Sequence, residues 1–328
     1  MKYDSLVQTI GNTPMVRLNK MFKDLPCSVY AKLESFNPGH SNKDRIALFM
    51  IEKAEKSGLI HPGDTLVEAT SGNTGFSLAM ISLIKGYKCI LTVTDKIADE
   101  KVDMIKSLGA EVIKCPKNAK PTDPESYYKV AEKIARETPH CYYLNQNFDS
   151  ANMEAHYEGT GREIWKDSEG KVTFVIGATS TGGTLSGVGK FCKEHNPLVN
   201  VIGIDSFGSV LKKFKETHIY DLKDIKSSRI DGVGKNIIPG SIDFDVIDEF
   251  VTVSDKDAAL RTIEVCQSEG IMAGYSSGAI IEGMFQIKDR FTLNDFVVLI
   301  FPDHGYKYLG TVYNEKWRSE QFFSQDSI

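Results

Sequence analysis

Apolar runs alternate with amphipathic segments along the first half of the chain, beginning near residue 64. The runs are short and rich in β-branched residues, which indicates buried strands, whereas the segments repeat apolar residues with a helical period. The predicted order is strand 65–68, helix 75–84, strand 89–94, helix 99–108, strand 111–113, a helix opening at 123–125, and strand 141–144. Strands that alternate with helices at this spacing are typical of parallel sheets with crossover helices.

The second half repeats this pattern, so the chain is predicted to contain two α/β blocks that divide near residue 150. Its predicted elements are strand 172–176, helix 182–194, strands 199–204 and 250–253, helices 255–267 and 277–287, and strand 296–301. The stretch 216–241 has no clear period and contains Gly232, Gly234 and Gly240. It is too polar for a core, which predicts a surface loop over a site.

Composition and charge argue against several classes of function. The 328 residues carry 39 Lys and Arg against 44 Asp and Glu, a net charge of −5. General nucleic-acid binding is not expected, because phosphate contacts need clustered positive charge. The chain has no window of about eighteen consecutive apolar residues, so no membrane span is expected. The N-terminus lacks a signal-peptide pattern. The six cysteines are scattered without paired spacing, which favours buried free thiols in a cytoplasmic protein over zinc or redox motifs.

Two loops that follow predicted strands are rich in glycine and hydroxyl side chains. They span residues 69–75 and 177–184. In parallel sheets, ligands bind beyond the carboxyl ends of the strands, and a glycine-rich helix N-terminus can hold an anion. The same residue types also cap helices and form turns. Two such loops in equivalent positions favour ligand binding. The second suits a phosphate, and the first, with Asn73, suits a carboxylate.

Known nucleotide motifs do not account for these loops. The chain has no G-x-x-x-x-G-K-[ST] sequence, and Gly187-Val188-Gly189 lacks the third glycine of a dinucleotide fingerprint and lies in a predicted helix. Lys43 is predicted at the first turn of a helix from about 44 to 56 that Ser41 can cap. The helix dipole there disfavours a protonated amine. A Schiff-base lysine needs such a lowered pKa, because the neutral amine is the nucleophile. A lysine taken alone is more often a solvated surface residue.

Four segments together resemble the β-replacement branch of fold-type II pyridoxal-phosphate enzymes, the family of cysteine synthase and cystathionine β-synthase. They are residues 37–45 around Lys43, 70–75, 181–184 and 274–278, and the opening 10–14 is also similar. The resemblance implies two three-layer αβα domains with mostly parallel sheets, like the tryptophan synthase β-subunit. It implies a large domain for pyridoxal phosphate (PLP) from 1–40 plus 150–328, and a small mobile domain for the substrate carboxylate from 41–149.

The family roles carry over residue by residue. PLP is the implied cofactor; Lys43 would form the Schiff base and act as the acid–base group, Asn73 would bond the phenolic oxygen, and Ser276 would face the pyridine nitrogen. The residues implied for the phosphate are Ser180, Thr181, Gly182, Gly183 and Thr184. The residues implied for substrate are Thr70, Ser71, Gly72, Thr74 and Gln146, completed by Gly232 and Lys235. No metal site is expected.

The chain departs from the family pattern at three places. Ser180 stands where glycine is usual, and its Oγ could donate to the phosphate. His40-Ser41-Asn42 stands where Gly-Ser-Val is usual, which bears on the substrate. Lys235 stands where cystathionine β-synthases carry tyrosine. It is either an exposed loop lysine or a contact for an acidic nucleophile. Further stretches resemble cystathionine β-synthase cores more than plain cysteine synthases, namely 101–103, 108–112, 123–126, 208–211 and Trp317.

The implied reaction is β-replacement on L-serine or an O-activated serine, through an aminoacrylate, with a thiol nucleophile as in cystathionine β-synthase. A serine at the pyridine nitrogen cannot protonate it as an aspartate would, so the ring is a weaker electron sink and loss of the β-substituent is favoured. The alternatives are a cysteine synthase acting on O-acetylserine, an aminocarboxyethyl-glutamate synthase of siderophore type, and a catalytically silent binding homologue. A PLP dehydratase or threonine synthase fits the 70–74 sequence less well. The resemblance also implies a homodimer that acts on small amino-acid substrates.

Overall fold

The computed structural model describes residues 2–70, 72–321 and 323. Within them the strands are β1 (Met15–Arg17), β2 (Ser28–Leu33), β3 (Thr65–Ala69), β4 (Lys88–Thr94), β5 (Glu111–Cys115), β6 (Cys141–Tyr143), β7 (Phe174–Ala178), β8 (Asn200–Ser206), β9 (Glu249–Val253) and β10 (Phe296–Phe301). The α-helices are α1 (Lys43–Lys56), α2 (Asn73–Lys85), α3 (Asp99–Ser107), α4 (Tyr127–Glu137), α5 (Ala151–Ala155), α6 (Arg162–Asp167), α7 (Gly183–His195), α8 (Leu211–Thr217), α9 (Asp255–Glu269), α10 (Tyr275–Gln286) and α11 (Glu315–Glu320).

The chain divides into two compact units. Unit 1 consists of Met1–Ile10 and Lys43–Asn152, and unit 2 of Gly11–Asn42 and Met153–Ile328. Unit 1 contains one sheet with the strand order β5-β4-β3-β6, and every neighbouring pair in it is parallel. The central strand β3 is buried along its whole length, because helices cover a parallel sheet on both faces.

Unit 2 contains a sheet with the strand order β1-β2-β10-β7-β8-β9. Only the β1–β2 pair of this sheet is antiparallel. The inner strand β10 is apolar throughout and packs against α10, which lies in the same core. In both units the strands at the centre end in the loops that precede α2 and α7. The predicted α/β class with mostly parallel sheets is therefore confirmed.

A wide helical turn interrupts the helical segment between α5 and α6. Residues His156–Gly161 form π-helix, and α6 continues directly from them. Gly187 of α7 lies against this turn, since a Cβ at Gly187 would stand 2.7 Å from the Tyr157 backbone nitrogen. Such π-helical turns are rare and occur often at functional sites.

Most predicted elements are confirmed within one to three residues, and the exceptions have local causes. The fourth helix does not open at 123–125: Asp123 closes a turn by accepting the Lys120 N–H, and Ser126 caps α4 by accepting the Lys129 N–H. Residues 216–241 are irregular as predicted, yet Ile230 and Val233 are buried in the unit 2 core. The cysteines are all free thiols, although Cys141 and Cys266 are only partly buried. The helix at Lys43 begins at Lys43 itself, so Asn42 rather than Ser41 directly precedes it.

Residues 2–70, 72–321 and 323 contain neither a membrane-spanning helix nor a cluster of metal-binding side chains. No helix there is long and apolar enough to cross a bilayer. No group of three or more His, Cys, Asp and Glu side chains is arranged there to hold a metal ion.

Candidate active site

The loop after β3 in unit 1 presents the residues implied for the substrate carboxylate. Thr70 continues from the strand by donating its N–H to the Thr92 carbonyl at 3.0 Å. Gly72 precedes α2, and no side chain caps that helix. The first backbone N–H groups of α2 therefore face away from the helix and can meet an anion. Ser71 lies outside the described residues.

Thr74 and Gln146 meet behind this loop. Both are buried, and Thr74 Oγ1 donates to Gln146 Oε1 at 2.8 Å. Gln146 N donates to Glu68 Oε2 at 3.2 Å, and Glu68 Oε1 accepts the Ala69 N–H at 3.1 Å. Gln146 thus acts on the loop through Thr74, while Glu68 ties the end of β3 to the segment that carries Gln146.

Burial dominates the electrostatics of Glu68. Loss of water around the fully buried carboxyl raises its pKa to about 8, and N–H donors from residues 69, 145 and 146 only partly oppose this. A carboxyl with this pKa is mostly protonated at neutral pH. Sequence reasoning did not identify Glu68, although an acidic residue inside an apolar strand run is a visible signal.

Lys43 and Asn73 occupy equivalent places in unit 1, since each is the first residue of its helix. Both side chains are half-buried. The two helix starts are joined by Asp44 and Ser77, which are both fully buried: Ser77 Oγ donates to Asp44 Oδ1 at 2.5 Å and lies 3.1 Å from the Asn73 carbonyl oxygen.

The loop after β7 in unit 2 presents the residues implied for the phosphate. We call residues 180–184 the phosphate loop. Gly182 precedes α7 with a φ of +81°, no side chain caps the helix, and a Cβ at this position would stand 2.3 Å from Ile242 Cβ. Ser241 Oγ holds the loop by donating to the Thr181 carbonyl at 2.8 Å. An uncapped helix start with glycine at the left-handed position fits a phosphate group.

Thr184 closes the phosphate loop and has two polar neighbours within unit 2. Asn42 Nδ2 donates to Thr184 Oγ1 at 3.2 Å, and His156 Nε2 lies 3.1 Å from the same oxygen. His156 is fully buried, and its Nδ1 lies 2.9 Å from Thr160 Oγ1. Sequence analysis did not assign His156 or Asn42 a role toward the cofactor. Their contact with Thr184 spans 28 and 142 residues of chain.

Ser276 lies in the first turn of α10. It is 3% exposed, and its hydroxyl bonds to none of the described residues. The backbone before it is tightly held: Gly274 N donates to the Asp303 carbonyl, and a Cβ on Gly274 would collide with the Asp303 carboxyl. A buried hydroxyl with bonding capacity to spare fits a pyridine nitrogen.

The remaining predicted residues lie in the irregular stretch of unit 2. Gly232 is exposed with open space around it, and Lys235 is half-buried. The Lys235 backbone is fixed, since its N–H donates to Ser209 Oγ and its carbonyl accepts the Val210 N–H. Ser209 belongs to a turn that Asp205 holds by accepting the Ser206 and Lys212 N–H groups, and burial raises the pKa of Asp205 to about 6.

The residues present fit PLP on two observations: the uncapped phosphate loop of unit 2 and the buried Ser276 hydroxyl. Lys43 and Asn73, the residues implied for the Schiff base and the phenolic oxygen, lie in unit 1. Ser180 is half-buried, and its hydroxyl bonds to none of the described residues.

Comparison with known proteins gives the same cofactor class. Residues 6–303 match the family described as "Pyridoxal-phosphate dependent enzyme". The chain is 37% identical over 322 residues to a cystathionine beta-synthase of Apis mellifera, covering 98% of this chain and 63% of that protein. It is 38% identical over 310 residues to a cysteine synthase of Staphylococcus aureus (strain Mu50 / ATCC 700699), covering 94% of this chain and 96% of that protein.

A solved structure of O-ureido-L-serine synthase is similar over the whole chain. It shares 31% identity with a TM-score of 0.88, and the match covers 99% of this chain and 100% of that one. The chain spans less than two thirds of the Apis mellifera protein but nearly all of the Staphylococcus aureus protein. Together these matches show that the chain belongs to the pyridoxal-phosphate-dependent enzyme family, whose cofactor is pyridoxal 5'-phosphate.

Proposed function

We propose that the protein catalyses PLP-dependent β-replacement on L-serine or an O-activated serine, with a thiol nucleophile as in cystathionine β-synthase. The observation that carries this proposal is the loop between β3 and α2 in unit 1, which we call the substrate loop. Its uncapped helix start and the buried Thr74–Gln146 bond suit an amino-acid carboxylate. Similarity to a cystathionine β-synthase and a cysteine synthase supports it further.

In the proposed reaction this chain supplies binding and proton transfer. Thr70, Gly72 and Thr74 would bind the substrate carboxylate and so present the Cα–H bond to Lys43. The Lys43 amine would remove the Cα proton and later return it to the same carbon. Bound PLP supplies an electron sink for the electrons of that C–H bond.

The unit 2 residues would hold the cofactor in the orientation that this chemistry needs. The phosphate loop would anchor the phosphate, and Ser276 would bond the pyridine nitrogen. A serine hydroxyl is far less acidic than the pyridinium it would have to maintain, so Ser276 leaves the nitrogen largely unprotonated. Electrons released at Cα then leave with the β-substituent rather than accumulate on the ring.

The domain roles, the assembly and the compartment are proposed on the same resemblance. We propose that 1–40 with 150–328 binds PLP and that 41–149 binds the substrate carboxylate. We also propose a homodimer in the cytoplasm. A dimer has an expected mass of 2 × 36.4 kDa, about 73 kDa, which light scattering after gel filtration measures directly.

A product assay tests the function. The purified holoenzyme is incubated with L-serine, O-acetyl-L-serine or O-phospho-L-serine, each with homocysteine, sulfide, glutamate or hydroxyurea, and products are identified by mass spectrometry. Cystathionine from serine and homocysteine supports the proposal. Cysteine from O-acetylserine and sulfide would instead make the protein a cysteine synthase.

Other outcomes of the same assay identify the remaining candidates. An aminocarboxyethyl adduct of glutamate would support the siderophore-type reaction, with Lys235 as the candidate contact for the acidic nucleophile. Formation of O-ureido-L-serine would indicate the activity for which the similar solved structure is named. A protein that binds PLP and forms none of these products would be a silent homologue.

A further inference from the structure

Asn42, the residue before Lys43, makes a hydrogen bond to the phosphate loop. It is 3% exposed, and its N–H donates to the Pro302 carbonyl at 2.8 Å, just after β10. Its side-chain amide donates to Thr184 Oγ1 at 3.2 Å. Because its backbone is fixed at the end of a core strand, the amide meets Thr184 from a defined direction. The family resemblance gives no role to this position, where valine is usual.

The Thr184 hydroxyl has one proton to donate and two lone pairs to accept with. The Asn42 amide fills one lone pair. His156 Nε2, at 3.1 Å, fills the second if that nitrogen carries the ring proton, and His156 Nδ1 then accepts from Thr160 at 2.9 Å. With both lone pairs filled, the hydroxyl proton is left for another acceptor. In the opposite tautomer, His156 Nε2 would accept the hydrogen bond from the Thr184 hydroxyl. Thr184 would then have no proton left to donate to an anion.

We propose that Asn42 is a positioning residue for the PLP phosphate: its amide fills one lone pair of the Thr184 oxygen and, together with a protonated His156 Nε2 on the other, leaves the Thr184 proton for the phosphate. This inference rests on the phosphate loop proposed above and is independent of the reaction that the enzyme catalyses.

Two substitutions at Asn42 distinguish loss of the hydrogen-bond donor from its replacement by an acceptor. Asn42→Val removes the amide, and we expect PLP to bind the apoprotein about 3- to 10-fold more weakly, the value of one hydrogen bond. Asn42→Asp keeps the shape but replaces the donor with an acceptor. The carboxylate would take the Thr184 proton and repel the phosphate, so we expect at least about a further tenfold loss.

Affinity is measured by titrating PLP into apoprotein, and the ³¹P NMR shift of the bound phosphate gives a second readout that does not depend on activity. The order wild type, Asn42→Val, Asn42→Asp in both readouts supports the inference. Equal affinity of Asn42→Asp and wild type would overturn it. Failure of wild-type protein to bind PLP would overturn the phosphate loop itself, a distinct result.

A double-mutant cycle with Thr184→Val shows whether Asn42 acts through the threonine. We expect Asn42→Val to have no further effect on PLP affinity once the Thr184 hydroxyl is absent. An undiminished effect in that background would contradict the inference, and this test stands even if Asn42→Asp does not fold.

Asn37→Val is the matched control. Asn37 is equally buried in the same segment, but it bonds to Gly11 and Glu34. It should lower thermal stability and leave the PLP affinity of the folded protein within about twofold. An equal loss of affinity in Asn37→Val would assign the Asn42 effect to general destabilisation and overturn the inference.

Discussion

Lys43 provides the residue-scale test of covalent cofactor attachment. We expect Lys43→Ala to fold, because alanine is the best helix former and position 43 opens α1. The visible absorption band of the lysine-linked cofactor should disappear, and kcat should fall by about 10³-fold or more. Borohydride reduction and peptide mapping should label residue 43 in wild-type protein and no lysine in the variant.

Lys56→Ala is the control, because Lys56 is exposed in the same helix and should keep both the band and the label. An unchanged spectrum in Lys43→Ala would contradict the assignment of Lys43 as the Schiff-base residue.

Glu68 predicts a pH dependence of stability. Its pKa is raised from 4.5 to about 8 by burial, so the folded chain binds a proton that the unfolded chain releases above about pH 4.5. Stability from this group is therefore full below about pH 4.5 and is lost as pH rises to about 8. At about 1.4 kcal/mol per pKa unit, the loss is on the order of 5 kcal/mol.

Glu68→Gln should make the free energy of unfolding depend less on pH. The variant should lose about 1 kcal/mol at pH 5, because the Gln side-chain NH2 group would face a backbone N–H. Urea unfolding at pH 5.5, 7 and 8.5 measures it. Asp205→Asn is the control: the pKa of Asp205 is raised only to about 6, so its variant should keep the wild-type slope between pH 7 and 8.5. Parallel slopes for wild type and Glu68→Gln would refute a buried neutral Glu68.

Residue identities were predictable where a short motif carries the chemistry, and not where contacts join distant segments. The loop 70–74 and Gln146 were both predicted for the substrate, and the structure joins Thr74 to Gln146. Asn42 and His156 reach Thr184 across 142 and 28 residues, and no local period signals such contacts. Asn42 stood out only as a departure from the family pattern.

At the scale of elements, the start of α7 depends on a glycine that has no room for a side chain. Gly182 has a φ of +81°, and its added Cβ would stand 2.3 Å from Ile242 Cβ. We expect Gly182→Ala to lower stability by about 2–4 kcal/mol, since overpacking adds to backbone strain, and to weaken PLP binding.

Gly86→Ala separates these two costs. Gly86 ends α2 with a nearly equal φ of +80°, but nothing lies within 4 Å of its added Cβ. This variant should lose only about 1 kcal/mol and keep its PLP affinity. Chemical denaturation and PLP titration of both variants are the measurement, and equal losses would show that the clash with Ile242 is relieved at no cost.

Element types were predicted well because period and composition agree along most strands and helices, as in β4 and β10. The start of α4 was mistaken because Asp123-Pro124 and Ser126 both look like helix starts, and the hydrogen bonds choose Ser126. The edge strand β1 and its neighbour β2 were both missed, and β1, Met15–Arg17, is only three residues long. Ile230 and Val233 anchor an otherwise polar loop, which average polarity conceals.

At the scale of the whole molecule, the proposed cofactor ligands are distributed over both units. Lys43 and Asn73 lie in unit 1, whereas the phosphate loop and Ser276 lie in unit 2. A ligand that binds only the folded chain stabilises every segment it contacts by mass action. Removing PLP should therefore weaken protection from hydrogen exchange at the starts of α2, α7 and α10 together.

Inorganic phosphate gives the discriminating experiment, because it offers the phosphate group without the ring. Added to apoprotein at millimolar concentration, it should restore hydrogen-exchange protection at the start of α7 and leave the starts of α2 and α10 unprotected. PLP should restore all three, and L-serine added to the holoenzyme should protect the 72–75 segment further. Protection by PLP confined to α7 would contradict the assignment of Asn73 and Ser276 to the ring, while protection of α2 by phosphate alone would place an anion site in the substrate loop instead.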